Sequence, residues 1–570
     1  MQTRRYFFRT YLLGILIMIG LTSCAQQETA VTIFHGGTIM TVDSDFSEVE
    51  AVAIEGDKIV ATGDLSNLQK EFGKQASIID LEGKTMLPGF IDPHAHVLTF
   101  APVRFLTENI GVDNFRTTQE ALDHLKQIAS KKEKGEWIAA SGWDPSVQEG
   151  VSAITNKELD QISTEHPIFI LNTSGHLAYI NSLAFEAAGI DENTPNPPGA
   201  EYVKDQQGKL TGVVKNNIAF FPVWLANPAA SQLNMEDAIV SLLNEFNQYG
   251  LTTTSEFSLG ITSQGPADFD LLLAAAQRED FTARIMAYPW YTLEEKWNEA
   301  GTKMYDGNDL VKIVGYKLVA DGSNQGYTGF QREEFYNEEQ KGNLGKEYMT
   351  VDEMYRQAKI RAEQGWHMAL HGNGDAGIDN VLTVMQMLKD DGIDVAKLRP
   401  RIEHCSILHD DQIEKMKDLG VSASFLIGHV HYWGTAMRDE VFGPEKALLL
   451  DRTASVEKAG VGYTLHSDFA VTEPNMLKLI EIAVTRTTFK EPDFVLNPAE
   501  RVSVESAIRA VTSEAAWQMM VDNMVGSLEV GKYADFVILE DDPRKVEPST
   551  ISEIKVVETW MNGKQVYENK

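Results

Sequence analysis

Two imidazoles stand two residues apart in the stretch Leu87–Val97, L-P-G-F-I-D-P-H-A-H-V. Alternate side chains of an extended chain share a face, so His94 and His96 can aim at one point from a strand end, as metal ligation requires. H-x-H alone is common on surface strands, and the groups further along must decide. His371 follows W-H-M-A-L, His404 follows R-I-E and Asp468 follows G-Y-T-L-H-S, while Lys317 lies inside I-V-G-Y-K-L-V-A-D-G. Each has a plain explanation alone: packing for a strand-end His, a helix cap for Asp468, an edge position or a pair with Asp321 for Lys317. Together they fall in order at the ends of strand-like segments, the arrangement of a barrel active site. A divalent metal held by such a set acidifies bound water.

The elements that must position these groups are read from periodicity. Met86–Leu87 and Phe90–Ile91 look like a buried strand. Helix-like runs at Asp352–Gln364, Asp375–Lys389 and His409–Leu419 alternate with strand-like His367–His371, Arg401–Glu403, Val421–Leu426 and Tyr463–Leu465. This is α/β architecture and suggests a (β/α)8 TIM-like barrel. Both chain ends are rich in strands and turns. Gly36-Gly37 reads as a turn, and Gly56-Asp57 and Asn562-Gly563 as hairpins. The expected division is a composite β-domain of residues 31–86 plus 525–570 and a barrel of residues 87–524. A lid or substrate region at about 101–250, after the first barrel strand, interrupts the barrel and includes the loop Pro195–Gly199.

The chain has 570 residues and a formal net charge of −33, which argues against nucleic acid as a partner. Arg4, Arg5 and Arg9 precede an apolar run to Leu21 and then Thr22-Ser23-Cys24, a pattern of export signal and cleavage site over residues 1–23. The residues before Cys24 resemble a bacterial lipobox. That implies cleavage before Cys24, lipidation of Cys24, a polar tether of residues 24–30 and anchoring to the cell-envelope membrane. The arginines suit a twin-arginine route and the apolar run an ordinary secretory one. Inner versus outer membrane and a homodimer stay open. With Cys24 lipidated, Cys405 has no disulfide partner.

P-G-F-I-D-P-H-A-H resembles the first-strand signature of the amidohydrolase superfamily, usually P-G-[FL]-[IV]-D-x-H-x-H. K-L-V-A-D-G, H-G-N-G-D, R-I-E-H and the C-terminal G-S-L-E-V-G-K-Y-A-D-F-V-I-L extend the resemblance over nearly all of the mature chain. They narrow it to the YtcJ-like branch, which contains N-substituted formamide deformylase. The resemblance implies two divalent ions, with zinc the best match and manganese, iron or nickel as alternatives. His94 and His96 would bind the more buried ion, His371 and His404 the second. Asp468 would ligate and shuttle the proton, and Lys317 would be N6-carboxylated and bridge the pair. Asp92 and Glu403 could orient imidazoles or sit in turn pairs. Trp143, His176, His429, His431 and Trp433 are candidates for the pocket wall. His429 would face the metals and polarise a carbonyl, and S-G-H-L-A-Y-I-N resembles a family motif that raises His176.

Two segments depart from the family pattern. Tyr327 stands where G-S-x-x-S-R-T expects Arg, and Gly250–Glu256 replaces G-[VI]-T-S-V-H-D, which puts substrate identity in doubt. The implied activity is hydrolysis of a non-peptide C–N bond, an amide-type bond of a small molecule. The alternatives are a one-metal deaminase and a non-catalytic ligand-binding lipoprotein. Deaminating relatives usually carry H-x-x-E, and neither His371 nor His404 has Glu at that spacing.

Overall fold

The computed structural model describes residues 31–73, 76–151, 153–197 and 200–569. The expected signal segment, Cys24 and the tether lie outside the described residues, as do Pro198 and Gly199 of the loop. Among the described residues no helix is long and apolar enough to cross a membrane.

Eight parallel strands carry the centre of the molecule. They are β1 (Phe90–Ile91), β2 (Leu251–Leu259), β3 (Arg284–Pro289), β4 (Val311–Ile313 continued by Tyr316–Val319), β5 (Met368–Gly372), β6 (Arg401–His404), β7 (Ser422–Phe425) and β8 (Tyr463–Leu465). The first half of β4 pairs with β3, and the second half with β5, so the strands form a four-stranded and a five-stranded sheet. Parallel bridges Trp290 to Lys317 and Ala95 to Phe469 join the two sheets at both of their edges. The residues of these strands are nearly all buried, polar ones such as Thr253, Ser255, Glu256 and Glu403 included, as parallel strands covered by helices require. Helices Ala267–Ala275, Val351–Glu363, Asp375–Asp390 and Asp410–Leu419 follow β2, β4, β5 and β6.

Strands from both chain ends meet in one eight-stranded sheet. Its order places Phe536–Leu539 between Val556–Met561 and Thr85–Pro88, with Val31–Met40 next. At Asn562-Gly563 both residues have positive φ, 51° and 69°, the geometry of a tight two-residue hairpin. The expected Gly36-Gly37 turn is not formed. Val31–Met40 runs straight through it with a bulge between His35 and Ile39. The strand there changes partner from Ser77–Asp80 to Thr85–Met86. Glycine is needed because a Cβ on Gly36 would stand 2.0 Å from Asp80 Oδ1.

The expected strand through Met86–Ile91 is also divided. Thr85–Pro88 belongs to the terminal sheet and Phe90–Ile91 to the parallel set. Gly89 is the crossing point, where a Cβ would meet Thr252 Oγ1 at 2.2 Å. After β1 the chain forms helix Val97–Leu106 and then a separate six-stranded sheet built from residues 108–215. It returns through helix Met235–Gln248, capped by Asn234, which accepts from Glu236 N at 2.9 Å.

Candidate metal centre

The ends of β1 and β8 are stitched together before any ligand is considered. Asp468 N donates to His94 O and His96 N to Phe469 O, both at 3.0 Å. Fully buried Asp92 accepts from Ser467 N at 3.3 Å, from His94 N at 3.4 Å and from the Ser467 hydroxyl. Burial pushes the Asp92 carboxyl up to about 7 against those hydrogen bonds. Asp468 and His404 hold left-handed backbone, φ 52° and 64°, which costs L-residues energy and is concentrated at functional sites.

Hydrogen bonding fixes which nitrogen of His94 and of His96 is free. His94 Nδ1 donates to Glu403 Oε2 at 2.7 Å, leaving the Nε2 lone pair exposed to the site. Burial pushes the Glu403 carboxyl up, and the Arg401 and Lys317 charges oppose this; Arg401 Nε stands 2.5 Å from Glu403 Oε1. His96 reaches a carboxylate through a hydroxyl. Ser258 Oγ donates to Glu256 Oε1 at 2.7 Å, so at 3.2 Å it accepts from His96 Nδ1. Glu256 is fully buried and also accepts from Leu98 N at 2.6 Å and Ser258 N at 2.7 Å. The departure at Gly250–Glu256 therefore bears on orienting His96.

Both Nε2 atoms face one oxygen. Asp468 Oδ1 lies 3.2 Å from His96 Nε2 and 3.5 Å from His94 Nε2. Three electron-rich atoms so placed repel unless a cation lies among them. Protons fit poorly, since burial holds His94 well below the usual imidazole range. Burial alone would raise the Asp468 carboxyl, but the positive field of the site, Lys317 included, brings it below its usual value. The three ligand atoms all lie within 4.8 Å of one another, and their chemistry fits a divalent ion.

His371 and His404 flank this group with ring centroids 4.5 Å apart. His371 Nε2 lies 3.0 Å from the Gly322 carbonyl, 3.1 Å from Asn373 Nδ2 and 3.4 Å from Asp321 Oδ1, so two acceptors and one donor face it. His404 Nδ1 lies 3.8 Å from Asp468 Oδ2 and has no hydrogen-bond partner among the described residues. Lys317 is buried beneath, its ammonium 4.8 Å from the Phe257 ring centroid. Burial pulls it down to about 8, opposed by Glu403 and Asp468. Asp321 is not its partner. That carboxylate instead staples the loop after β5, accepting from Asn373 N at 2.9 Å, Gly374 N at 2.7 Å and Phe330 N at 2.8 Å.

His466 is a member of the cluster that the sequence reading passed over. It is fully buried, its ring stacks 4.7 Å from His94, and neither ring nitrogen has a partner among the described residues. The signal was present: His466 and Asp468 have the same alternate spacing as His94 and His96. Among the described residues, His94, Glu403 and His466 form a second group of atoms within 4.8 Å.

The pocket candidates separate. Trp433 lines a cavity between the inserted sheet and the loop after β8, together with Phe100, Arg104, Asp113, Tyr432 and Phe469. Its Nε1 donates to Ser146 Oγ at 3.2 Å, and Tyr432 donates to Asp113 at 3.0 Å, docking this turn on the insertion. Trp143 is a correction. It is packed inside the insertion with Nε1 donating to Thr118 Oγ1 at 3.1 Å, because the apolar residues around it leave no path to the cavity. His176 is exposed at the start of strand Leu177–Ile180 and within range of the Asp468 charge. His431 bonds Thr487 O at 2.9 Å, a packing role. His429 lies in a π-helical turn, His429–Trp433, beyond the end of β7. Cys405 is fully buried, a small hydrophobe.

Over residues 77–567 the chain matches the amidohydrolase family. It is 25% identical to the N-substituted formamide deformylase of Arthrobacter pascens, covering 93% of this chain and 97% of that relative. It is 24% identical to the putative amidohydrolase YtcJ of Bacillus subtilis (strain 168), covering 94% and 99%. An uncharacterized metal-dependent hydrolase from Pyrococcus furiosus superposes with a TM-score of 0.70 at 23% identity, covering 90% of this chain and 100% of that one, a likeness of fold. With the match running from the terminal sheet through every strand end described above, the chain belongs to the amidohydrolase family.

Proposed function

We propose that this protein is a metal-dependent hydrolase of a non-peptide C–N bond in a small amide, built on a (β/α)8 barrel closed by the bridges at both sheet edges. The observation that carries the reading is the pair of oriented Nε2 lone pairs facing Asp468 Oδ1 at 3.2 and 3.5 Å. His94, His96 and Asp468 would hold one divalent ion. His371 and His404 would hold a second, with an N6-carboxylated Lys317 between them. Such ions supply Lewis acidity and lower the pKa of water. Glu403 and the Ser258–Glu256 pair keep the two histidines in their ligating tautomers. Asp468, held as a carboxylate, takes the proton of the attacking water and passes it to the leaving nitrogen. The insertion covers the mouth and excludes bulk water. Lipid on Cys24 would hold the mature protein at the envelope membrane.

A one-ion deaminating centre is the second reading, favoured by the fact that His371 and His404 belong to neither tight group. Metal analysis with a screen of N-acyl and N-formyl amines separates the readings. About two ions per chain with amide turnover supports the first. One ion with ammonia release from an amino-substituted ring supports the second, and no ion would sink both.

A further inference from the structure

His429 is held in one tautomer by a chain of hydrogen bonds whose direction is set by a backbone carbonyl. Asn373 Nδ2 lies 2.9 Å from Gly322 O, which can only accept, so the amide is oriented with its Oδ1 toward Ser406. Ser406 Oγ lies 2.7 Å from that Oδ1 and must give it its single proton. At 3.3 Å from His429 Nδ1, Ser406 Oγ can then only accept, and Nδ1 carries the imidazole proton. The same logic operates at His96, where Ser258 gives its proton to Glu256. Burial holds His429 down to about 4 against the pull of Asp468, so the ring is neutral near pH 7. Its Nε2 therefore presents a lone pair, the opposite of the donor needed to polarise a carbonyl.

Among the described residues that lone pair accepts no hydrogen bond. The buried ring packs edge-on at 5.9 Å against Trp433, which lines the cavity beside the insertion, and it lies within range of the Asp468 charge. We propose that His429 Nε2 accepts a hydrogen bond from the N–H of the substrate, so that the site selects amides that keep an N–H over fully N-substituted ones. This rests on the amide reading above.

Two measurements test it on the mature chain. Nitrogen-15 shifts of histidine-labelled protein, with His429→Gln assigning the signal, should show His429 protonated at Nδ1, and Ser406→Ala should mix the tautomers. An Nε2–H signal in the unaltered protein overturns the proposal whatever the substrate is. The second compares an N-acyl amine with its N-methyl analogue. The unaltered enzyme should favour the N–H amide in kcat/KM by roughly ten- to hundred-fold. His429→Phe should lose that preference, and His429→Gln, which keeps an acceptor, should recover part of it. Equal rates on both amides would overturn the acceptor role. Turnover of neither would count against the amide reading, and the tautomer signal would still decide the state of His429.

Discussion

Asp468 is the residue on which ligation and proton transfer meet, and it can be probed without disturbing packing. Asp468→Asn keeps size and removes the charge. Turnover should fall roughly 10²–10⁴-fold while circular dichroism and melting temperature stay near those of the parent. A variant with parental rates would remove Asp468 from the chemistry. Glu403→Gln probes the orienting layer. It weakens the hold on His94 Nδ1 and leaves Arg401, fully buried, without its ion pair. Metal affinity measured by competition with a chelator should drop roughly 10–100-fold. The acids and imidazoles were legible in sequence because they end apolar segments. The relays through Ser258 and Ser406 were not, because a serine in a strand or loop carries no mark of the partner it will meet.

At the scale of elements, the decisive point is where one strand leaves one sheet for another. Pro88-Gly89-Phe90 reads in sequence as the middle of a buried run. Only the close approach of Thr252 on β2 shows why the second position lacks a side chain. Gly89→Ala forces a Cβ into Thr252 and should destabilise by about 1–3 kcal/mol in chemical denaturation. A shift below about 0.5 kcal/mol would mean that the crossing relaxes freely. The helices of the barrel region were readable to within a residue or so. Asp352–Gln364 is observed as Val351–Glu363, and Tyr463–Leu465 coincides with β8. Their amphipathic periods are local properties. The Gly36-Gly37 segment was misread because a bulge and a turn use the same glycines, and strand pairing beyond the segment decides between them.

The whole molecule depends on its two ends meeting. Asp542, its side chain 4% exposed, pairs with Arg544 at 2.7 Å, and Arg544 reaches Glu48 of the N-terminal strands at 2.7 Å. Burial alone would raise the Asp542 carboxyl, but the Arg544 and Lys545 hydrogen bonds bring it down from 3.8 to about 2. A carboxyl with a depressed folded pKa stabilises the fold above its unfolded value, and the contribution is lost as pH falls through the folded value. Asp542→Asn should therefore cost about 1–2 kcal/mol at pH 7. The gap to the parent should close as pH falls from about 4 to about 2. A gap independent of pH would assign the effect to packing.

Sequence alone determined the chemical alphabet of the centre, the strand and helix periods and the family, because each is written in residue type and short-range spacing. Tertiary structure alone decided which nitrogen His94 and His96 offer, that His466 joins the cluster, that Trp143 is core and that Asp321 is a loop staple. Those outcomes depend on donors and acceptors brought together from distant parts of the chain, as when Glu403 meets His94 across 309 positions. A hydrogen bond takes its direction from both partners, and only the folded chain supplies the second one.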